Sequence, residues 1–367
     1  MKKIALDAMG GDNAPASVVE GAFISLQRNT DLYIVFVGDH LRLEDEIRKR
    51  AFPVDKFEII HASQTVRMDE SPVAALRTKK DSSIAVALTL HRMGKVEAVV
   101  SAGNTGAQIV ASMTRLGRID GVLRPVIGSL IPTKKSPVFL LDVGANTDCG
   151  GVHLFQFGVM GAIFMEKLFG LENPRLALLS IGSEKTKGNE VSLFAHHLFS
   201  ESHLNFTGNI EGTELLQGSV DVAVCDGFVG NLILKFAESF PDFLVSKFAE
   251  INQKSDCEEL KGFLHDNFNP ETYGGVPILG VKGVSIVCHG ASSPTAFASG
   301  IATAANMIDA GINDKIAESL AELHRFYEMN KYFLNIRKHW ENRKNRMGWN
   351  PARFFSWFGD NPPDEDK

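Results

Sequence analysis

Short runs of apolar residues alternate along this chain with longer amphipathic segments, a pattern typical of parallel βαβ units. The short runs are rich in Val, Ile and Leu, as expected for strands that helices cover on both faces. The predicted strands are Lys3–Leu6, Leu32–Val37, Ala98–Val100, Val126–Leu130, Val138–Leu141, Leu176–Ile181, Val220–Val224 and Val284–Val287. The predicted helices are Ser82–Arg92, Leu154–Leu168, Asn189–Phe199 and Asn231–Phe248.

Most polar motifs fall just after a predicted strand and before a helix. In open α/β sheets, ligands bind in the crevice at the carboxyl ends of the strands. We therefore expect these motifs to gather at one edge of a largely parallel sheet and to form a ligand site there.

Composition narrows the class of protein. The chain has 367 residues, of which 44% are hydrophobic and 22% charged, a balance that predicts a globular protein with a substantial core. A net charge of −6 argues against a general nucleic-acid binder, because such binding depends on Lys and Arg. The four cysteines are scattered and form no C-x-x-C pair, so neither a metal site nor a redox dithiol is indicated.

The amino terminus predicts the compartment. Met1-Lys2-Lys3 leads directly into a predicted strand and lacks the apolar region of a signal peptide. We also find no apolar run that is long enough to span a bilayer. A cytoplasmic protein is expected.

The first candidate loop follows the first strand. Its paired glycines allow close backbone approach to a ligand, and its acidic and amide side chains add polar groups. The candidate substrate-binding residues are Asp7, Gly10, Gly11, Asp12 and Asn13. The alternative is an ordinary turn between a strand and a helix.

The second candidate loop follows Ala98–Val100 and opens a helix. Small residues with hydroxyl and amide groups at a helix N-terminus can cradle an anion such as phosphate. The candidate residues are Ser101, Gly103, Asn104, Thr105 and Gly106. The alternative is that Asn104 or Thr105 merely caps the helix.

Three further motifs supply charge and amides. Lys185 and Lys187 follow a buried strand and could hold phosphate or stabilise a developing negative charge, or they could simply be solvated. A second motif contains Asp226, Gly227, Gly230 and Asn231, and a third contains His289, which is as consistent with a structural role as with catalysis.

No Ser/His/Asp or Cys/His arrangement indicates a covalent acyl-enzyme. Neither G-x-G-x-x-G nor G-x-x-x-x-G-K-[ST] is present, so a dinucleotide or ATP enzyme is disfavoured.

Taken in order, these motifs resemble those of the bacterial phosphate acyltransferases. The resemblance runs from Met1 to about Tyr327 and is carried by six segments. They are Asp7-Ala-Met-Gly-Gly-Asp-Asn-Ala-Pro, Ser101-Ala-Gly-Asn-Thr-Gly-Ala, Leu141-Asp-Val-Gly-Ala-Asn, Lys187-Gly-Asn, Asp226-Gly-Phe-Val-Gly-Asn, and Tyr273-Gly-Gly through His289-Gly.

The resemblance implies a fold, a reaction and a set of residues. The implied fold is a Rossmann-like three-layer α/β/α sandwich, similar to isocitrate and isopropylmalate dehydrogenases, in a homodimer without a cofactor. The implied reaction transfers a fatty acyl group from acyl carrier protein to inorganic phosphate, and the acyl phosphate serves phospholipid synthesis. Lys185 and Asn231 are the implied catalytic residues; Asn146, Lys187 and Asn189 join the substrate-binding candidates. The alternative is a phosphotransacetylase-like enzyme that uses acyl-coenzyme A.

Two segments depart from the βαβ pattern. Residues 1–334 are expected to form one intertwined α/β domain, from which residues 239–273 protrude as a helical hairpin. The many acidic residues of this hairpin argue against its binding to a membrane. Residues 335–367 form a tail in which Arg and Lys are interleaved with Trp and Phe. Such a composition predicts peripheral attraction to the inner face of the membrane, near a membrane acyltransferase that uses the product. The alternative is a tail that is disordered or packed in the dimer, because aromatic residues beside Arg are also common at protein interfaces.

Overall fold

The computed structural model describes residues 1–251 and 275–329. Its strands are β1 (Lys2–Asp7), β2 (Leu32–Gly38), β3 (Phe57–His61), β4 (Ala98–Ser101), β5 (Val126–Ile131), β6 (Val138–Leu141), β7 (Leu176–Leu179), β8 (Phe206–Ile210), β9 (Val222–Val224), β10 (Val276–Leu279) and β11 (Val284–Val287). Its α-helices are α1 (Ala16–Arg28), α2 (His40–Arg48), α3 (Pro72–Thr78), α4 (Ser83–Arg92), α5 (Thr105–Arg115), α6 (Gly151–Phe169), α7 (Glu190–Ser200), α8 (Gly227–Ile251), α9 (Pro294–Ala310) and α10 (Ile312–Met329).

The eleven strands form one sheet in the order β3-β2-β1-β4-β11-β10-β5-β6-β9-β7-β8. Buried residues of α1, α6, α9 and α10 form one hydrophobic cluster with strand side chains on one face of the sheet. Buried residues of α4 and α5 form a second cluster with strand side chains on the other face. Helices therefore cover both faces, and the predicted three-layer α/β/α sandwich is confirmed.

The sheet contains two parallel groups that run in opposite directions. The strands β3, β2, β1, β4 and β11 are mutually parallel, as are β6, β9, β7 and β8. Between the groups, β10 is antiparallel to β11 and β5, and β5 is antiparallel to β6. The expectation that all motifs gather at one edge is therefore wrong, because the carboxyl ends of the two groups point in opposite directions.

Strand register nevertheless brings the two sets of loops close together. Val287, the last residue of β11, pairs with Val276, whereas Leu141, the last residue of β6, pairs with Gly128. Since Gly128 adjoins Ile127, which pairs with Ile278, the two strand ends lie within about two residues of the same level. Three strand spacings, about 14 Å, separate them across the sheet.

The predicted strands and helices are present, with ends that differ by a few residues. The helix predicted at Asn231–Phe248 begins earlier, at Gly227, because Asp226 caps it: the Asp226 carboxylate accepts a hydrogen bond from the backbone N–H of Val229 at 2.8 Å. This helix continues to Ile251, so the first part of the expected hairpin is helical. The rest of that hairpin and the tail at 335–367 lie outside the described residues.

The expectation that no apolar run is long enough to span a bilayer is wrong for helix α6. By length and composition alone its 19 residues would suffice, but 72% of its apolar window is buried inside the fold. Gly158 and Gly161 allow this burial, since an added Cβ at Gly161 would lie 2.3 Å from Leu141. α6 is therefore a core helix that packs directly against the sheet.

Candidate active site

A cleft of about 900 Å³ is lined by loops from both strand groups. Its polar lining includes Thr105 and Gly106 of α5, Gly144 after β6, Asn231 of α8 and His289 after β11. Its apolar lining includes Ile109, Ile127, Leu130, Ile131, Phe139, Phe164, Leu168 and Leu234. One cleft thus combines a polar end with a long hydrocarbon wall.

Two helix N-termini contribute to the polar end. Thr105 and Gly106 are the first residues of α5, and Gly227 and Phe228 are the first residues of α8. The backbone N–H groups of a first helical turn lack intrahelical partners and carry partial positive charge. At α8 the N–H of Gly227 donates to the Asn146 carbonyl and the N–H of Val229 donates to the Asp226 carboxylate. The N-terminus of α5 is therefore the one suited to an anion such as phosphate.

Asn104 fixes the position of α5. Its Oδ1 accepts a hydrogen bond from the backbone N–H of Ala107 at 2.9 Å, and its Nδ2 donates to the carbonyls of Arg67, Met68 and Glu70 at 3.1 to 3.2 Å. The capping alternative is therefore confirmed for Asn104. Its side chain is used within the protein, whereas the next two residues line the cleft.

The start of α8 packs against the loop that follows β6. The buried carboxylate of Asp142 accepts hydrogen bonds from the backbone N–H groups of Gly144, Ala145 and Asn146 and from the Asn146 side chain, at 2.7 to 3.0 Å. The carbonyl of Asn146 in turn accepts from the N–H of Gly227 at 2.8 Å. Asn146 therefore supports the helix that carries Asn231, and its side chain is absent from the cleft lining.

Glycines make this contact possible. A Cβ at Gly227 would lie 2.7 Å from the Asn146 carbonyl oxygen, and one at Gly230 would lie 1.8 Å from the Asp142 carbonyl oxygen. Gly144 has a φ of +133°, and a Cβ there would lie 3.5 Å from Asn231 Oδ1. The Asn231 side chain is thus held over Gly144 at the polar end of the cleft.

The loop after β1 is tied to the loop after β4. Ser101 Oγ donates to Asp7 Oδ2 at 2.7 Å and accepts from the N–H of Gly103 at 3.0 Å. Burial raises the pKa of Asp7, which is 3% exposed. A Cβ at Gly10 would lie 2.7 Å from both Asp7 and Gly103, so Gly10 is required for this close packing.

The remaining candidates in that loop also make internal contacts. The N–H of Asp12 donates to the carbonyl of Gly290 at 2.8 Å, next to His289, and the carbonyl of Asn13 accepts from the N–H of Ser17 at the start of α1. Gly11 has a φ of +102°. None of the candidates in this first loop lines the cleft, although the loop supports residues that do.

The lysine loop lies beyond the cleft lining. Asn189 caps α7, since its Oδ1 accepts from the N–H of Ser192 at 2.9 Å. Lys185 and Lys187 are exposed, and the charge of Lys185 contributes to lowering the pKa of His196 on α7, after the larger effect of burial. Because β7 pairs with β9 in parallel, this loop leaves the sheet beside the loop that leads to Asn231.

The thiols of the site are not nucleophiles at neutral pH. Cys288 lines the cleft, and burial raises its pKa to about 12. Burial also raises the pKa of Cys225, which precedes α8. A thiol in this state is protonated and unreactive. In the described part of the chain, no group of three His, Cys, Asp or Glu residues is placed to hold a metal ion.

Several cleft residues were missed by the sequence analysis. Lys235 and Glu238 line the cleft, and so does Thr147 after β6. The spacing of Asn231, Lys235 and Glu238 places them on one face of a helix, which was an available signal. No such signal marked the apolar wall, because its residues follow the same pattern as ordinary residues of the hydrophobic core.

Sequence comparison decides the family. A model of the family described as "Fatty acid synthesis protein" matches residues 2–315. A phosphate acyltransferase of Desulforamulus reducens is 43% identical over 327 residues, which cover 87% of this chain and 98% of the relative. The chain belongs to the phosphate acyltransferase family. A second phosphate acyltransferase, from Pelotomaculum thermopropionicum, is 44% identical over 88% of this chain and 96% of the relative.

Solved structures of phosphotransacetylases have the same fold as this phosphate acyltransferase. A phosphotransacetylase from Streptococcus pyogenes matches with a TM-score of 0.58 at 15% identity, covering 84% of this chain and 94% of the other. A branched-chain phosphotransacylase from Enterococcus faecalis matches with a TM-score of 0.54 at 13% identity, covering 84% of this chain and 99% of the other. The family match and its curated relatives confirm the predicted enzyme class: the protein transfers an acyl group to phosphate in lipid synthesis.

Proposed function

We propose that the acyl donor is a long-chain acyl group on acyl carrier protein and that the product is a long-chain acyl phosphate for phospholipid synthesis. The observation that carries this proposal is the cleft, which joins an anion-binding end to an extended apolar wall. Phosphate needs the first feature and a fatty acyl chain needs the second.

The length of the cleft along α8 favours a long chain over a short one. Cleft residues on α8 run from Gly227 to Glu238, and eleven steps of a helix span about 16 Å. An extended alkyl chain advances about 1.3 Å per carbon, given C–C bonds of about 1.5 Å, so this path suits about 12 carbons. Each buried methylene contributes about 0.8 kcal/mol, which a small acyl group cannot provide.

In the proposed mechanism, Asn231 Nδ2 donates to the thioester carbonyl while the N-terminus of α5 binds phosphate. A phosphate oxygen attacks the carbonyl carbon, the new C–O bond forms, and the C–S bond breaks. The thiolate that leaves takes up a proton from water. Lys185, from the neighbouring loop, stabilises the negative charge that develops on the carbonyl oxygen.

The other binding candidates divide between contact and support. Thr105, Gly106, Gly227 and His289 line the cleft. The supporting candidates keep the cleft-lining loops in place. They are Asp7, Gly10, Gly11, Asp12, Asn13, Ser101, Gly103, Asn104, Asn146, Asp226 and Gly230. Lys187 and Asn189 lie in the same loop as Lys185, beyond the cleft lining.

We further propose that the enzyme is a cytoplasmic homodimer with transient contact to the membrane. The membrane contact is proposed from the basic and aromatic composition of residues 335–367. The support for the dimer is an exposed apolar stripe on one face of α8, whose residues are 40 to 69% exposed. They are Phe228, Leu232, Phe236, Phe240 and Phe243. Five large apolar side chains on one helix face exceed the scattered exposure of an ordinary surface, so a second copy is expected to cover them.

The test of the donor is acyl phosphate formation from palmitoyl-[acyl carrier protein] and phosphate, compared with palmitoyl- and acetyl-coenzyme A. The proposal expects the palmitoyl carrier protein to have the highest kcat/KM. Asn231→Ala and Lys185→Ala are expected to lower kcat about a hundredfold while the thermal unfolding midpoint is retained. Turnover of acetyl-coenzyme A alone would instead establish the phosphotransacetylase alternative.

A further inference from the structure

Lys235 holds an unusual position in the cleft. Among the lining residues that the structure describes, it is the only Lys or Arg. Lys185 and Lys187 are exposed on a neighbouring loop and do not line the cleft. Lys235 is therefore the cation that the described cleft lining itself offers to a phosphate dianion.

Helix geometry places Lys235 beside Asn231. The two residues are four positions apart, so their Cβ atoms lie about 5 to 6 Å from each other on the same helix face. A lysine stem is flexible, so the ammonium group can turn from Glu238, one turn toward the C-terminus, to the level of Asn231, one turn toward the N-terminus. Asn231 lines the same cleft.

The ammonium group keeps hydrogen-bonding capacity for a ligand. Lys235 Nζ lies 2.7 Å from Glu238 Oε2, and the Lys235 side chain is 53% exposed. An ammonium group has three N–H donors, so this ion pair uses one and leaves two. Glu238 thus restrains the position of the ammonium group and leaves two of its N–H donors for a ligand.

We propose that Lys235 binds the inorganic phosphate substrate, together with the N-terminus of α5. This inference rests on the proposed function of the cleft but not on the identity of the acyl donor, since phosphate is common to every candidate reaction. It also separates the two lysines: Lys235 binds the nucleophile, and Lys185 acts on the charge that develops at the carbonyl.

The test uses the full-length enzyme and three variants: Lys235→Met, Lys235→Arg and Lys315→Met. Lys315 is a matched control because it forms a Lys/Glu pair of the same spacing with Glu318 on α10, away from the cleft. Two quantities are measured: the KM for phosphate at saturating acyl donor, and the Kd for inorganic phosphate by isothermal titration.

The expected result is a KM and Kd for phosphate raised about ten- to a hundredfold in Lys235→Met, the effect of one charge-assisted hydrogen bond. Lys235→Arg should recover most of the affinity, and Lys315→Met should equal the wild type. An unchanged phosphate Kd in Lys235→Met overturns the proposal, as does a rise confined to the KM for the acyl donor. Failure of acyl carrier protein as donor would reject the proposed donor and leave this measurement intact, because acyl-coenzyme A can replace it.

Discussion

Gly230→Ala should separate catalysis from folding in this enzyme. The added Cβ would lie 1.8 Å from the carbonyl oxygen of Asp142 and 3.0 Å from Cys225 Sγ. Real Cβ atoms essentially never approach closer than 3.0 Å, so the helix and the loop must part by about 1 Å. Both sides of this contact are backbone, and neither can rotate out of the way.

The shift acts directly on the next residue, Asn231. A displacement of about 1 Å in a group that aligns reactants can lower the rate about a hundredfold. Overpacking of a close contact costs about 1 to 3 kcal/mol of folding free energy, which the protein should survive. We therefore expect kcat to fall about a hundredfold, with a lowered but still cooperative thermal transition.

The assay is acyl phosphate formation at saturating substrates, combined with circular dichroism melting. Gly212→Ala is the matched control, because a Cβ at Gly212 meets nothing within 4 Å and its φ is not positive. If Gly230→Ala keeps both the wild-type kcat and the wild-type melting temperature, α8 does not pack on the 142–146 loop as described.

Two further predictions concern titrating groups. Cys288→Ala should keep most of the activity, since a thiol whose pKa is about 12 is no nucleophile at pH 7, and complete loss with an intact fold would contradict direct attack by phosphate. Burial lowers the pKa of His153 to about 4, and its Nδ1 accepts a hydrogen bond from the N–H of Gly150 at 2.8 Å. As the pH falls, the His153 imidazole therefore becomes protonated in the unfolded chain at a higher pH than in the folded protein. The free energy of unfolding should fall by up to about 3 kcal/mol as the pH drops from about 6.5 to 4. Chemical denaturation across this window should show a flatter dependence in His153→Gln, and an equal slope in both proteins would exclude His153 as the cause.

The sequence predicted the elements of the fold better than their arrangement. Continuous Val/Ile/Leu runs marked β1, β2 and β6, because strands buried on both faces leave that pattern. β10 was missed, since its Val-Pro-Ile-Leu is short and contains a proline. Yet β10 and β5 reverse the strand direction, and such pairing depends on residues more than a hundred positions apart.

The candidate site was predicted in part for the same reason. Thr105, Gly106, Gly227, Asn231 and His289 line the cleft, because residues just after strands lie at strand ends in any α/β sheet. Asp7, Asn104 and Asn146 share that position but turn their side chains into the protein. Sequence position cannot distinguish the two outcomes, because a polar side chain that builds a loop and one that meets a ligand are the same residue types.

The position of β11 beside β4 has a consequence for synthesis of the chain. An added Cβ at Gly21 of α1 would lie 2.8 Å from Phe297 of α9, a residue made about 280 positions later. At about 5 to 20 residues per second, a ribosome needs roughly 14 to 55 seconds to cover that distance. The nascent chain has an open strand edge at β4 from residue 101 until β11 is made, and an uncovered apolar face on α1 until α9 is made; both features favour aggregation. The amino-terminal layer of this enzyme therefore depends on β11 and α9, and a ribosome that stalls before residue 284 releases a chain whose first half has no partner to complete it.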